Sequence, residues 1–591
     1  MTRGCAVAVA ALAVVVVSAA APRASAGTTT PVGPALPGLV PSAAVTTPDH
    51  PRLTEKAATR IALADPKVAA WLDRYPPDPA TSAEFQRDRR TWVVKAWSGA
   101  AGQVAQVTVE DLTGRVTEAW TGPQVAWKMA RGGEAAFGGK TLDRVGVWLA
   151  LCLVFLVGLA DFRRPLSLRN LDLLVLLSFS VSLGFFNRGE IFTSVPLAYP
   201  PLVYLVGRTA WAGFRQRGPA LRPLWPAWVL AAAAVFLVGF RVGLNHESPH
   251  GVIDVGYAGV IGANRIVHGQ APYGHMPSRS NDGLQLPKCG PPDTEGDIAD
   301  RIQTNGRCET ANETGDTYGP VSYLMYVPAY LVFGWSGKWD SLPAGHATSI
   351  AFDLLTILGL VLVGFRFGGA RLASALAFAW AAYPFTAYAL NANTNDSIMP
   401  AFLVFGFWLV SSPWARGGAV ALAGWAKFGA LLVAPLWATY PSVRLRDLVR
   451  YAIAFAVATV AAFLVLLLEP SLWSAIENFW DRTISSQITR ESPFSIWGWG
   501  QYHARGIPDL GFLQPVVEGL VVVLALAAAA LPRRKGPVEL AALTAAVLVA
   551  FQIALTHWFY LYLPWVLPFI ALWLLLPREE QEPTGEELAP G

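Results

Sequence analysis

Several polar residues stand just outside apolar runs, where a membrane would leave them within reach of substrate. Asp254 falls about ten residues past the end of one such run, in the stretch GVIDVGYAGVIGANRIVHGQAPYG. Tyr257, Ile261, Asn264 and Arg265 follow at spacings that share a helical face, and Gly269, Pro272 and Tyr273 then turn the chain. A carboxylate in this position can take the proton of an attacking hydroxyl as a general base. The same spacing also allows a helix cap or an ion pair between Asp254 and Arg265. Lys427 sits inside an apolar span, where a cation is costly unless it reaches water, a partner or a headgroup. Asn393, Asn395 and Asp396 precede an apolar helix and either bind hydroxyl groups or cap that helix. Arg482 and Arg490 lie in a polar loop, suited to a phosphate or simply to solvent. His557 precedes the aromatic run Trp558-Phe559-Tyr560, where it can polarise a leaving group or rest at an interface.

The elements that must hold these residues are apolar. The chain has 591 residues, of which 53% are hydrophobic and 15% charged, too little charge for a soluble surface of this size. Runs near the length that crosses a hydrocarbon core recur along it. The net charge of +4 gives no reason to expect nucleic acid as a partner, and Lys and Arg cluster between apolar runs as topology markers. The composition therefore predicts a mainly α, polytopic helical membrane protein with a small α+β domain near its N-terminus.

Residues 1–26 read as a secretory signal: Arg3, an Ala/Val-rich stretch and Ala24-Ser25-Ala26. An uncleaved first helix is the alternative. Residues 27–50 read as a linker. Residues 51–135 contain a helical stretch from Leu53 to Leu72, strands at 91–97 and 104–109, and a turn at Thr113-Gly114 into a third strand. The helix, the meander and the closing VEDLTGRV resemble the PepSY-type small domain of exported bacterial proteins.

The positive-inside rule threads the rest, with the small domain and large loops outside the cell membrane. Spans are expected at 145–160, 171–187, 191–208, 224–243, 349–365, 372–389, 397–411, 451–468, 513–531, 537–556 and 559–576. Parity requires 417–438 to be a hairpin with Lys427 near its outer turn, for about 13 crossings in all. Residues 318–335 are read as a helix along the outer surface, and 577–591 as an acidic tail inside. The main outer loops are then 244–348 and 469–512. Cys289 and Cys308 share the first of these and are expected to form a disulfide there. Cys152 lies in an apolar run as inert packing.

Read together, these motifs resemble the GT-C superfamily of membrane glycosyltransferases, which use lipid-phosphate sugars. IDVGYAGVIGANRIVHGQAPYG is similar to the first outer loop of that superfamily, and YGPVSYLMYVPAYLVFG, beginning at Tyr318, to its following juxtamembrane helix. NANTNDSIMPAFLVFGFWL, GWAKFGALLVAPLW and HWFYLYLPWVLPFI resemble three further conserved segments, over about 224–576. Actinobacterial polyprenyl-phosphate-mannose transferases are the nearest in pattern. Three helices at 136–223 precede the family's usual first helix, and Asp254 lacks the second acid often seen beside it.

The resemblance implies inverting sugar transfer from a polyprenyl phosphate to a lipid or glycan acceptor, with Asp254 as the catalytic carboxylate. Lys427 would hold the lipid phosphate, or else snorkel to the headgroups. Tyr257, Arg265, Tyr273 and Tyr318 fall in the motif segments as candidate substrate contacts. Aromatics of SIWGWGQYH would stack on sugars or belong to an interfacial belt. Such enzymes use Mg²⁺ or Mn²⁺ in some cases, but one loop carboxylate does not specify a metal site, and no nucleotide-binding motif is present. The competing reading is a lipid-linked-sugar transporter or a scaffold whose outer domain binds a partner. No internal repeat of 145–243 favours a transporter.

Overall fold

The computed structural model describes residues 50–577, apart from 88, 132–138, 216–223, 249–250, 282–283, 286, 288, 291–300, 305, 340 and 489. The signal at 1–26, most of the linker and all but the first residue of the tail lie outside the described residues.

The N-terminal unit is α+β. Two helices replace the single expected one because Pro66 starts a new helix, with Asp65 accepting from the Lys67 and Val68 amides. The first is Glu55–Leu63, capped by Thr54, and the second is Pro66–Leu72. The sheet is an antiparallel meander of β1 (Ala80–Gln86), β2 (Thr91–Trp97), β3 (Gln103–Glu110) and β4 (Val116–Thr121). The three expected strands are β2 to β4. Strand β1 was not legible: it is a mostly polar edge strand, with only Ala83 and Phe85 on the apolar side. Trp92, Val94 and Ala96 of β2 alternate onto a core with Val107 and Val109 of β3 and with Ala58, Ala62 and Val68 of the helices. Asp111, fully buried, ties the turn after β3 to the first residues of the domain through the Arg52 and Leu53 amides and Trp92 Nε1.

The remainder is a polytopic helical bundle. Among the described residues, six helices are long and apolar enough to cross a membrane. They are Leu168–Phe186, Ala227–Glu247, Pro343–Ala382, Leu445–Leu468, Gly511–Ala530 and Pro537–Ala554. Every expected span coincides with a helix, several of them shorter than a full crossing. Large apolar side chains such as Leu153, Phe236, Val457 and Val523 face outward, as lipid contact requires. The last helix, Leu563–Leu575, is buried on every side and forms the centre of the core with Pro537–Ala554. A buried ion pair, Arg241–Asp353, and a half-buried one, Arg208–Asp172, join neighbouring helices.

Three local departures position the site. Pro343–Ala382 is one helical run broken at Gly369, whose φ of 68° supplies the turn between the expected spans 349–365 and 372–389. The hairpin starts at Pro413, capped by Ser412, and its first arm ends at Ala426. Lys427 is extended, and the return arm is a 3₁₀ turn, Phe428–Val433, followed by Ala434–Ala438. Arg416 closes the hairpin root by donating to the carbonyls of Val410, Trp437 and Tyr440. Residues 318–335 are two short helices, Pro320–Leu324 and Val327–Phe333; Tyr323 and Tyr326 are buried while Leu331 and Val332 are exposed. The disulfide Cys289–Cys308 is formed, with its Cα atoms 5.8 Å apart.

Candidate active site

Lys427 ends the first hairpin arm, its amide bonded to the Ala423 carbonyl, and the extended backbone there turns its side chain inward. The ammonium lies 3.0 Å from Asp396 Oδ1. Asp396 also accepts a 2.9 Å bond from Trp565 Nε1. The rings of Tyr318, Trp565 and Tyr562 surround the ammonium at 4.5, 5.6 and 5.9 Å. Tyr562 and Trp565 stack on each other at 4.3 Å. A buried cation is tolerated when a carboxylate and π faces replace its water, which is what this cage does. Tyr318 reaches it because Gly319 packs against the hairpin: a Cβ there would lie 2.1 Å from the Trp425 carbonyl oxygen.

Lys427, Tyr318, Tyr562 and Trp565 border a cavity of about 650 Å³. Its polar wall carries Lys427, Arg490, Gln487, Thr556 and His557; its apolar wall carries Leu432, Val521, Val522, Phe551 and Leu555. Arg490 is exposed and makes no hydrogen bond or ion pair among the described residues. His557 Nδ1 is 2.8 Å from Ser492 Oγ. Burial, with Arg490 and Lys427 nearby, holds the His557 pKa well below the usual imidazole range.

Asp254 opens the helix Asp254–Val267 and accepts the amide of Val255. Gly256 lets this helix close on Asn393, whose carbonyl oxygen would be 2.1 Å from a Cβ. The Asp254 side chain is open to solvent yet ringed by protein, as in a recess. That enclosure pushes its pKa up, with Asp396 adding to the rise, against the pull of the Val255 amide, Arg490 and Lys427. Its charge is thus coupled to both cations on the cavity wall. The ion pair with Arg265 that spacing allowed does not form, because Arg265 makes a buried bidentate pair with Glu309.

The structure brings Asp254, Tyr318, Asp396, Lys427, Arg490 and His557 into one electrostatic cluster. Other candidates serve the frame around it. Tyr257 is buried, donates to the Thr310 carbonyl and stacks on Trp339. Tyr273 donates to the Tyr318 carbonyl at 3.0 Å, supporting that ring's backbone. Asn393 binds the Gly251 carbonyl and Asn245, and Asn395 binds Ser322. Neither caps the helix Ile398–Trp408, whose N-cap is Ser397. Arg482 pairs with Asp316 at 2.7 Å. Trp497 and Trp499 turn their indole N–H groups to backbone carbonyls and are buried. Sequence reasoning missed Tyr562, Trp565 and Ser492; the aromatic run HWFYLYLPW held the only signal for the first two.

Among the described residues no three His, Cys, Asp or Glu side chains gather as a metal site. Asp396, the carboxylate coupled to Asp254, is already taken by Lys427 and Trp565. This donor set does not fit Mg²⁺ or Mn²⁺.

Residues 317–557 match the family model of glycosyltransferase family 87. The match takes in Tyr318, Asp396, Lys427, Arg490 and His557, and leaves Asp254, Tyr562 and Trp565 outside it. No curated protein matches the chain. Among solved structures, the chain is similar to ArnT from Cupriavidus metallidurans bound to undecaprenyl phosphate, at 17% identity and a TM-score of 0.36, over 58% of each chain.

Proposed function

We propose that this protein is a GT-C-like membrane glycosyltransferase that moves a sugar from a polyprenyl phosphate to an envelope acceptor on the outer face of the cell membrane. One observation carries the reading: within the segment matching family 87, two cations and a histidine meet at one cavity that also has an apolar wall. Such a cavity suits a phosphate with a prenyl chain, and the uncommitted Arg490 suits its second charge. In the reaction, an acceptor hydroxyl attacks the anomeric carbon from the face opposite the phosphate. Asp254 takes the hydroxyl proton while the bond from carbon to phosphate oxygen breaks. Lys427 and Arg490 receive the phosphate charge. The anomeric configuration inverts. The mannose-like donor, the PepSY-like nature of residues 51–135 and an actinobacterial source belong to the same reading and rest on sequence pattern. The chain in liposomes, supplied with a panel of polyprenyl-phosphate sugars and envelope lipids, tests it. Transfer with inverted configuration, read by NMR of the product, is expected; transfer with retention would contradict the mechanism, and no transfer with any donor would contradict the function.

A further inference from the structure

The segment Glu491–Ser495 carries no motif and lies beside Arg490, but one of its residues touches the histidine on the cavity wall. Ser492 is 2% exposed, and its Oγ makes two contacts. It accepts the Phe494 amide at 3.3 Å, and it meets His557 Nδ1 at 2.8 Å. The hydroxyl hydrogen therefore has one acceptor among the described residues, which is Nδ1. Were Nδ1 the protonated nitrogen, that hydrogen would be buried without a partner, a costly arrangement. The satisfied network has Ser492 donating to Nδ1, which places the ring proton on Nε2. Phe494 and Phe559 hold the ring plane, with centroids at 5.5 and 6.4 Å.

We propose that Ser492 is a positioning residue that fixes His557 as a neutral imidazole whose Nε2–H is the donor presented to a phosphate oxygen in the cavity. The ligand's identity rests on the glycosyltransferase reading; the tautomer does not. The charged groups facing His557 are Arg490 from its loop and Lys427 from the hairpin, with Glu518, Tyr318 and Tyr562 on the same cavity wall. Both cations oppose a third positive charge, so a hydrogen bond from a neutral ring is the form of assistance the site permits.

The test uses the full chain in nanodiscs with ¹⁵N-labelled histidine, the His557 signal being the one lost in His557→Gln. At pH 7 the signal is expected to show Nε2 protonated and Nδ1 bare, and Ser492→Ala is expected to abolish that preference. A protonated Nδ1, an imidazolium, or an unchanged signal in Ser492→Ala would overturn the assignment. In the transfer assay, His557→Gln retains a neutral N–H donor and is expected to stay within about tenfold of wild type, while His557→Ala falls on the order of 10²- to 10³-fold. Equal losses would overturn the neutral-donor role. If wild type itself transfers nothing, the glycosyltransferase reading and the phosphate ligand fall, and the nitrogen signals still decide the tautomer.

Discussion

At the scale of single residues, the account depends on how charges are balanced around Lys427. Asp396 neutralises Lys427, and Trp565 fixes Asp396, so Arg490 and Asp254 remain as the uncommitted pair of opposite sign. The catalytic base must be ionised, so turnover is expected to fall as pH drops through the Asp254 pKa. That pKa is raised by enclosure, so the acid limb lies above the ordinary Asp value of about 4. Arg490 favours the carboxylate; in Arg490→Gln the pKa rises further and the acid limb of kcat/KM moves to higher pH. A limb that stays in place or moves lower would disprove the coupling. Lys427→Met leaves Asp396 buried without its cation and is expected to lose roughly 3–5 kcal/mol of stability. The double variant Lys427→Met/Asp396→Asn should recover much of that in a thermal melt in detergent while remaining inactive. These residues were legible singly, because a Lys, an Asp or a His next to an apolar run is costly without a purpose. Their partners were not: nothing in the spacing of Trp565 or Ser492 announces a contact made by tertiary folding.

At the scale of elements, the hairpin from Pro413 to Ala438 and the loop after Leu468 deliver the cations. Parity of basic flanks was enough to foresee the hairpin and its Lys427 turn, since charge asymmetry is written directly in the sequence. The break at Gly369 was legible too, because Arg366 and Arg371 interrupt the apolar run there; the split at Met325–Tyr326 was not, because an apolar stretch has no periodicity that marks where it turns. Strand β1 escaped for the opposite reason, its residues being too polar to alternate visibly. The loop is held at its far end by the N-terminal domain. Trp71 meets Tyr502 and Phe192 at 6.1 and 5.9 Å, while Arg505 donates to the Asp73 and Arg74 carbonyls and accepts from the Arg74 guanidinium. Trp71→Ala is therefore expected to loosen residues 503–510, and limited proteolysis should cut there several times faster than in wild type. Equal cutting would show that the domain does not restrain the loop.

At the scale of the whole molecule, a helical bundle with a small α+β domain seated on one of its loops brings five distant segments of the described residues to one cavity. Composition alone fixed the membrane class, and the order of the motifs anticipated which segments would meet; the N-terminal domain's seat on the loop had no counterpart in sequence pattern, because interface aromatics look like any others. A transporter or scaffold would also need the bundle, but neither would need Asp254 for sugar transfer. The decisive measurement is transfer of radiolabelled sugar from polyprenyl-phosphate donors, in membranes carrying wild type or Asp254→Asn at equal folded amounts. The account predicts transfer by wild type and a loss on the order of 10²- to 10⁴-fold in the variant; wild-type turnover by Asp254→Asn would contradict it.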